Sequence, residues 1–346
     1  MKNKLILIGS IILIYIINLF SPSIDPYFYQ ILIFIGINII LASSLNLING
    51  FTGQFSLGHA GFMAIGAYVS AAVSTYFGPF FISTFGTTFP GSVISFLIFL
   101  LIGGISAAIV GLIVGVPSLR LKGDYLALVT LGFGEIIRVI IQGLEVVGAS
   151  QGFRGVYIYN NGEKFLDMQS NSDIGFTFFG IEKFTDFFWV YAIAAITIYV
   201  IYNLINSTYG RGYIAVKDDE IAAEAMGVNT TKYKVTAFVT GAFFAGLAGV
   251  LYAHYAQYIN PEDFNFLRSI EVVVMVILGG MGSILGVIIA AVILTILPEL
   301  LRGVSEYRMI IYALLLIIMM LTRPQGLFGF KLKSFKSKNK IPNSEK

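Results

Sequence analysis

Nine long apolar runs with almost no charge, at approximately 5–20, 27–48, 61–77, 92–116, 125–147, 187–205, 235–257, 271–297 and 307–322, constrain this chain more than any other feature. Most approach the roughly 20 residues that one helix needs to cross hydrocarbon. Backbone polar groups cannot stay unpaired in lipid, so the runs read as helices, and the alternating pattern of a membrane barrel is absent. Composition agrees: 57% of the residues are hydrophobic and 12% charged, with a mean hydropathy of +0.84, whereas a soluble domain carries about 25% charged residues. An ordinary cytosolic enzyme, a disordered chain and a nucleic-acid binder are excluded. The 346 residues hold about eight to ten spans with short connections and leave no room for a separate soluble domain. The expectation is all-α: a polytopic transmembrane helix bundle forming one domain over 1–330, followed by a basic cytoplasmic tail over 331–346. The net charge of +3 is too small to signal an electrostatic partner. The absence of cysteine excludes disulfides, thiolate metal sites and a cysteine nucleophile, and two histidines make no metal-binding cluster.

The first run follows Lys2 and Lys4, like the h-region of a signal peptide, but Ser21-Pro22-Ser23-Ile24-Asp25 offers no small-residue cleavage pattern, so it reads as a span. Short basic loops face the cytoplasm. That places Lys2 and Lys4, Arg120 and Lys122, Arg211, Lys217, Lys232 and Lys234, and Arg323 with Lys331 to Lys340 inside. The loop of about 148–186 goes outside, since Glu163, Asp167, Asp173, Glu182 and Asp186 outnumber Arg154, Lys164 and Lys183. Nine simple crossings from a cytoplasmic amino terminus would strand the lysine-rich tail outside. One run therefore has to be broken or re-entrant, and Gly279-Gly280-Met281-Gly282-Ser283 divides 271–297 into two pieces too short to cross comfortably. Irregular backbone at membrane depth is tolerated only where protein buries it or a cavity meets it.

A second interruption runs from Asn46 to Gly61, uncharged yet rich in amides, hydroxyls and glycine. Ser56 and Ser283 each stand where a serine can cap a helix. Paired interruptions of this kind point to a midplane path in transporters, with half-helix N-termini presented to anionic groups. The alternative is plain close packing of helices through small residues. On the first reading Asn46, Asn49, Thr52, Gln54, Ser56, His59 and Ser283 belong to the path.

Charges inside spans are few and expensive. Glu135 and Arg138 share a helix face and can pair, either lining the interior or neutralising each other against a neighbour. Glu271 sits near a span end and reaches toward the interface; His59 reads as a hydrogen-bonded packing residue. A proton-driven carrier would offer more buried acids. The loop of about 206–234 is the most polar internal stretch. Asp218 or Asp219 caps a helix of eight or nine residues, Glu220 and Glu224 lie toward its start, and Gly227 ends it. So short a helix must dock on something. Ile221, Ala222, Ala225 and Met226 give it an apolar face, for the underside of the bundle or for a partner.

The runs Asn46 to Tyr68, Arg120 to Arg138, Gly210 to Gly227 and Ile277 to Ser283 resemble the LivM-type permease of branched-chain amino acid ABC importers, of the LivH/LivM permease family, and the resemblance covers nearly the whole chain. It implies that 206–234 couples to ATPase subunits through Arg211, Asp218, Asp219, Glu220, Ala222, Ala223, Glu224 and Gly227. The general permease pattern there is Glu-Ala-Ala, three residues, then Gly; here Ile221-Ala222-Ala223 stands before Gly227 and the acid is Glu220. It implies as partners a related second permease forming a heterodimer, two ABC ATPase subunits and an extracytoplasmic substrate-binding protein, which the loop Val147 to Gly155 faces. No G-x-x-x-x-G-K-[ST] phosphate loop occurs, so the chain is expected to be no enzyme and to hold no cofactor, with ATP-Mg on the partner ATPases. It further implies a multi-pass cell-membrane protein, bacterial or archaeal, with both termini cytoplasmic, moving leucine, isoleucine and valine by alternating access. Ser56 and Ser283 would then favour the substrate carboxylate and Glu135 its ammonium. A related importer for urea or short amides, and a stand-alone channel or secondary carrier, are the alternatives.

Overall fold

The computed structural model describes residues 2–20, 23–86, 90–119, 121, 124–159, 164–165, 176–304, 313–314 and 317. The expected span 307–322 lies almost wholly outside these residues, and the tail 331–346 entirely so. The chain forms α1 (Lys2–Leu19), α2 (Pro26–Asn46), α3 (His59–Tyr76), α4 (Gly78–Phe85), α5 (Gly91–Ser118), α6 (Asp124–Gly143), α7 (Phe187–Ile205), α8 (Thr208–Asp218), α9 (Glu220–Ala225), α10 (Thr230–Ala256), α11 (Phe266–Gly279) and α12 (Ile284–Leu300). By length and composition five helices among the described residues can cross a membrane, over 26–51, 91–118, 125–143, 187–205 and 230–256. The pair α3–α4, bent by 66°, brings this to six, and α12 is a shorter apolar helix.

Local chemistry sets the helix starts. Pro26 opens α2 behind Asp25, whose carboxylate accepts from Tyr27 N at 2.8 Å. Asn229 accepts from Lys232 N at 2.9 Å to start α10, and Asn265 accepts from Arg268 N at 3.1 Å to start α11.

The core is a seam of α3, α5 and α10 made of small residues. A Cβ on Gly66 would lie 2.2 Å from Gly246 O, one on Gly249 2.0 Å from Met63 O, and one on Gly246 2.4 Å from Ala107 Cβ. Backbones this close gain dispersion contact, which is what holds helices together when lipid supplies no hydrophobic drive. The opposite face of α5 exposes Leu97, Leu101, Ile105, Ile109 and Leu112 at helical spacing, suited to acyl chains.

The break in 271–297 lies where the glycines stand, and it is a hairpin rather than a kink. Gly280 and Gly282 adopt φ of 94° and 90°, the left-handed region open to glycine, and Ser283 Oγ accepts from Gly286 N at 3.1 Å to start α12. The helix α12 then runs antiparallel to α2. Ser283 lies beside Asn46, Asn38 Nδ2 donates to Thr295 Oγ1 at 2.8 Å, and Tyr27 Oη donates to Glu299 near the far end. The broken run is thus two antiparallel helices, a re-entrant pair, and α11 begins at Phe266, five residues before the apolar stretch, because Asn265 caps it.

The loop 148–186 holds a feature that carries no apolar-run signal: an antiparallel three-stranded sheet in the order β2 (Lys164–Phe165), β1 (Gly155–Tyr159), β3 (Phe176–Gly180). It is stapled to the bundle where Phe153 and Ile259 exchange backbone hydrogen bonds of 2.8 and 3.0 Å. Here burial raises the carboxyls of Glu182 and Asp186 above their ordinary range, while Lys183 holds Asp186 back.

Candidate functional site

The two interruptions meet at the end of the bundle that carries α8 and α9. After α2 the chain makes a wide π turn over Leu47–Phe51 and an irregular stretch before α3. Asn46 Oδ1 accepts from Gly282 N at 2.9 Å and its Nδ2 reaches Ser283 O at 3.4 Å, tying α2 to the hairpin tip. Gly50 lies so close that an added Cβ would be 2.5 Å from Gly282 N. Asn49 binds both backbone groups of Ser56, at 3.2 Å to N and 3.5 Å to O, and Thr52 Oγ1 donates to Ile48 O at 2.7 Å. Lys217 of α8 donates from Nζ to Gly50 O at 2.6 Å, a contact no pattern in the sequence signalled. Asn46, Asn49, Thr52, Ser56 and Ser283 are therefore brought together, with Gln54 buried among the same segment and neither of its amide atoms partnered.

Ser283 caps its helix as expected; Ser56 does not. The helix α3 starts three residues after Ser56, at His59, and the Ser56 hydroxyl is buried without a hydrogen bond. Remote side chains serve this end instead: Ser269 Oγ accepts from Ala60 N in the first turn and Thr130 Oγ1 from Leu57 N just before the helix, each at 3.0 Å. Both helix starts are thus occupied by the protein's own hydroxyls, which weighs against their use for a substrate carboxylate. His59 is buried, with Nε2 2.8 Å from Ser44 Oγ and its ring edge-on to Phe62, a packing residue as expected.

Glu135 stands apart from this cluster. It pairs with Arg138 at 2.7 Å, and Arg138 also binds Glu262 at 2.8 Å, joined there by Gln142. The guanidinium is shared between two carboxylates, so self-neutralisation describes the pair better than an open ammonium site.

Beyond the sequence-based candidates, a cavity of about 370 Å³ opens between α2, α10, α11 and α12. Arg268 Nη1 donates to Glu271 at 2.8 Å and Nη2 to Asn38 Oδ1 at 2.6 Å, while Tyr252 Oη donates to Asp263 at 3.1 Å. Glu271 is thus held in an ion pair on the cavity wall. Two signals point here: Asn38 is an amide at the centre of an apolar run, and Arg268 and Glu271 have helical i,i+3 spacing.

In the polar loop, Asp219 is the cap, accepting from Ile221 N and Ala222 N at 2.9 and 3.0 Å, and Asp218 is the last residue of α8. The helix α9 spans six residues rather than eight or nine, because Ala225 is followed by Met226 as C-cap and Gly227 at φ 83°. It is fastened by Glu220 to Lys234 at 2.5 Å, by Glu224 to Thr230 at 2.7 Å and by buried Ala223. The apolar face does not turn to the bundle: Ile221 is 71% and Met226 83% exposed, with Ala222, Ala225 and Arg211 also exposed. Tyr213, buried with its hydroxyl 3.3 Å from Thr236 Oγ1, anchors α8 on α10.

A family model described as "Branched-chain amino acid transport system / permease component" matches residues 27–320. The high-affinity branched-chain amino acid transport system permease protein LivM of Escherichia coli K12 is 36% identical over 319 residues, covering 89% of this chain and 72% of that protein. The probable LivM of Methanocaldococcus jannaschii is 26% identical over 341 residues, 87% of this chain and 93% of that one. The LivH permease protein of E. coli K12 is 34% identical over 140 residues, 40% of this chain and 44% of that protein. No solved structure matches the chain. A multi-pass bundle with a buried pair of interruptions, matched along nearly its whole length, belongs to the family of branched-chain amino acid transport system permease components.

Proposed function

We propose that the chain is one of two related permease subunits of an ATP-driven importer that carries leucine, isoleucine and valine across the cell membrane by alternating access. The observation that carries the reading is the link through Lys217. An unpartnered apolar helix face at one end of the bundle is joined, through α8 and one buried-end hydrogen bond, to the meeting point of the π turn and the hairpin tip. Two ATPase subunits hold ATP and Mg²⁺, and one of them docks on Ile221, Ala222 and Met226 of this chain. Their closure moves α8 and α9, and Lys217 passes the displacement to Gly50 and so to α2 and the hairpin. Single π turns of this kind recur at functional sites. The loop 148–186 receives an extracytoplasmic binding protein, the second permease completes the path, and both termini are cytoplasmic.

Reconstitution in liposomes tests this. Leucine uptake should need the second permease, the ATPases with ATP and the loaded binding protein together. Uptake by the chain alone identifies a channel or secondary carrier and overturns the proposal, and uptake of urea in place of leucine overturns the substrate.

A further inference from the structure

Resting on the importer reading, we infer that the cavity at Arg268, Glu271 and Asn38 binds the substrate itself, and that it is built for a zwitterionic amino acid with an apolar side chain. Asn38 is 4% exposed in the middle of an apolar helix, and an amide there is tolerated only when hydrogen-bonded. Its oxygen takes the Arg268 guanidinium at 2.6 Å and its nitrogen donates to Thr295 at 2.8 Å, so both polar ends are used to fix one arginine on the wall. Charged groups within a membrane bundle are retained where they meet a path or a ligand. The volume of about 370 Å³ falls within the range of roughly 300–1,000 Å³ usual for small-ligand sites.

The lining is divided by chemistry. Arg268, Glu271, Asp263 and Glu299 supply charge, Glu299 being bonded to Tyr27, and Phe34, Met63, Met275 and Leu294 supply apolar surface. Arg268 and Glu271 neutralise each other at 2.8 Å. A zwitterion replaces that pair with two: its carboxylate takes the planar fork of Arg268, and its ammonium takes Glu271. The exchange leaves net charge unchanged and no ion unpaired in the bundle. Urea or a short amide carries no charge with which to make this exchange. A simple cation would gain nothing from the arginine.

The test uses the complete importer in proteoliposomes, with radiolabelled leucine and valine as probes and co-purification of the subunits as the measure of assembly. R268Q and E271Q should lower leucine uptake at least tenfold in assembled complexes, and R268K, which keeps the charge but not the fork, should recover part of it. L294F narrows the apolar wall and should raise the valine-to-leucine uptake ratio at least threefold. Wild-type uptake by R268Q or E271Q, or an unchanged ratio in L294F, overturns the assignment while the importer reading stands. Where the charge variants fail to assemble, the L294F ratio alone decides. A wild-type complex that imports neither amino acid overturns the importer reading instead.

Discussion

Lys217 is an exposed residue yet delivers its ammonium to a backbone carbonyl inside the π turn, 2.6 Å from Gly50 O. A charge-assisted bond of this kind contributes about 1.5–3 kcal/mol, enough to make one contact a mechanical link. Lys217→Met should leave the subunits assembled and ATP hydrolysis running while leucine uptake falls about fivefold or more, read from the ratio of the two rates. Gly50→Ala should prevent assembly, because the new methyl would meet Asn46 Oδ1 at 2.0 Å as well as the hairpin tip. The serines show what single residues reveal. Ser283 is a local cap, and its role is legible from its place after glycines and before an apolar run. Ser56 likewise precedes a helix, but the approach to α3 is held from α6 by Thr130 at Leu57 N and its first turn is capped from α11 by Ser269 at Ala60 N, 73 and 209 residues away in the chain. No local pattern encodes such partners. Ser56→Ala, which removes a buried hydroxyl that bonds nothing, should leave the melting temperature unchanged or raised, whereas Ser269→Ala should lower it, since it strands Ala60 N–H in the core.

For α9, sequence supplies the amphipathic pattern, the cap and the stop, and only packing decides which way the apolar face turns. The fasteners are polar, Glu220 with Lys234 and Glu224 with Thr230, so they occupy the bundle side and leave Ile221 and Met226 outward. Ile221→Asp with Met226→Asp should therefore keep the fold and its thermal stability, since both side chains are more than two-thirds exposed, and should abolish co-purification of the ATPases. At the opposite end, the raised carboxyls of Glu182 and Asp186 give a pH signature. A carboxyl whose pKa is higher folded than unfolded takes up a proton on folding, so its contribution favours the folded state at low pH and is lost as pH rises through the folded value. Glu182→Gln with Asp186→Asn should raise the melting temperature at pH 8 and change it little at pH 5. The sheet beside these residues escaped a reading based on hydropathy because its strands of two and five residues lie in a polar loop, where neither period nor length stands out.

The count of crossings ties the molecule together. Charge asymmetry and parity require that one apolar run be broken or re-entrant, and the glycines of 279–282 name it; among the described residues its two pieces fold back on each other as α11 and α12. The returning helix α12 closes the cavity at Asn38 and Arg268 with Leu294, Thr295, Pro298 and Glu299. The arrangement puts Asn229 and α9 at one end and Ser150, before the sheet, at the other, both side chains exposed. The chain has no cysteine, so Asn229→Cys and Ser150→Cys can each be read without background by a membrane-impermeant maleimide on intact cells. Ser150→Cys should label from outside and Asn229→Cys only after permeabilisation. Labelling of Asn229→Cys from outside would invert the bundle and place its apolar coupling face where no ATPase can reach it.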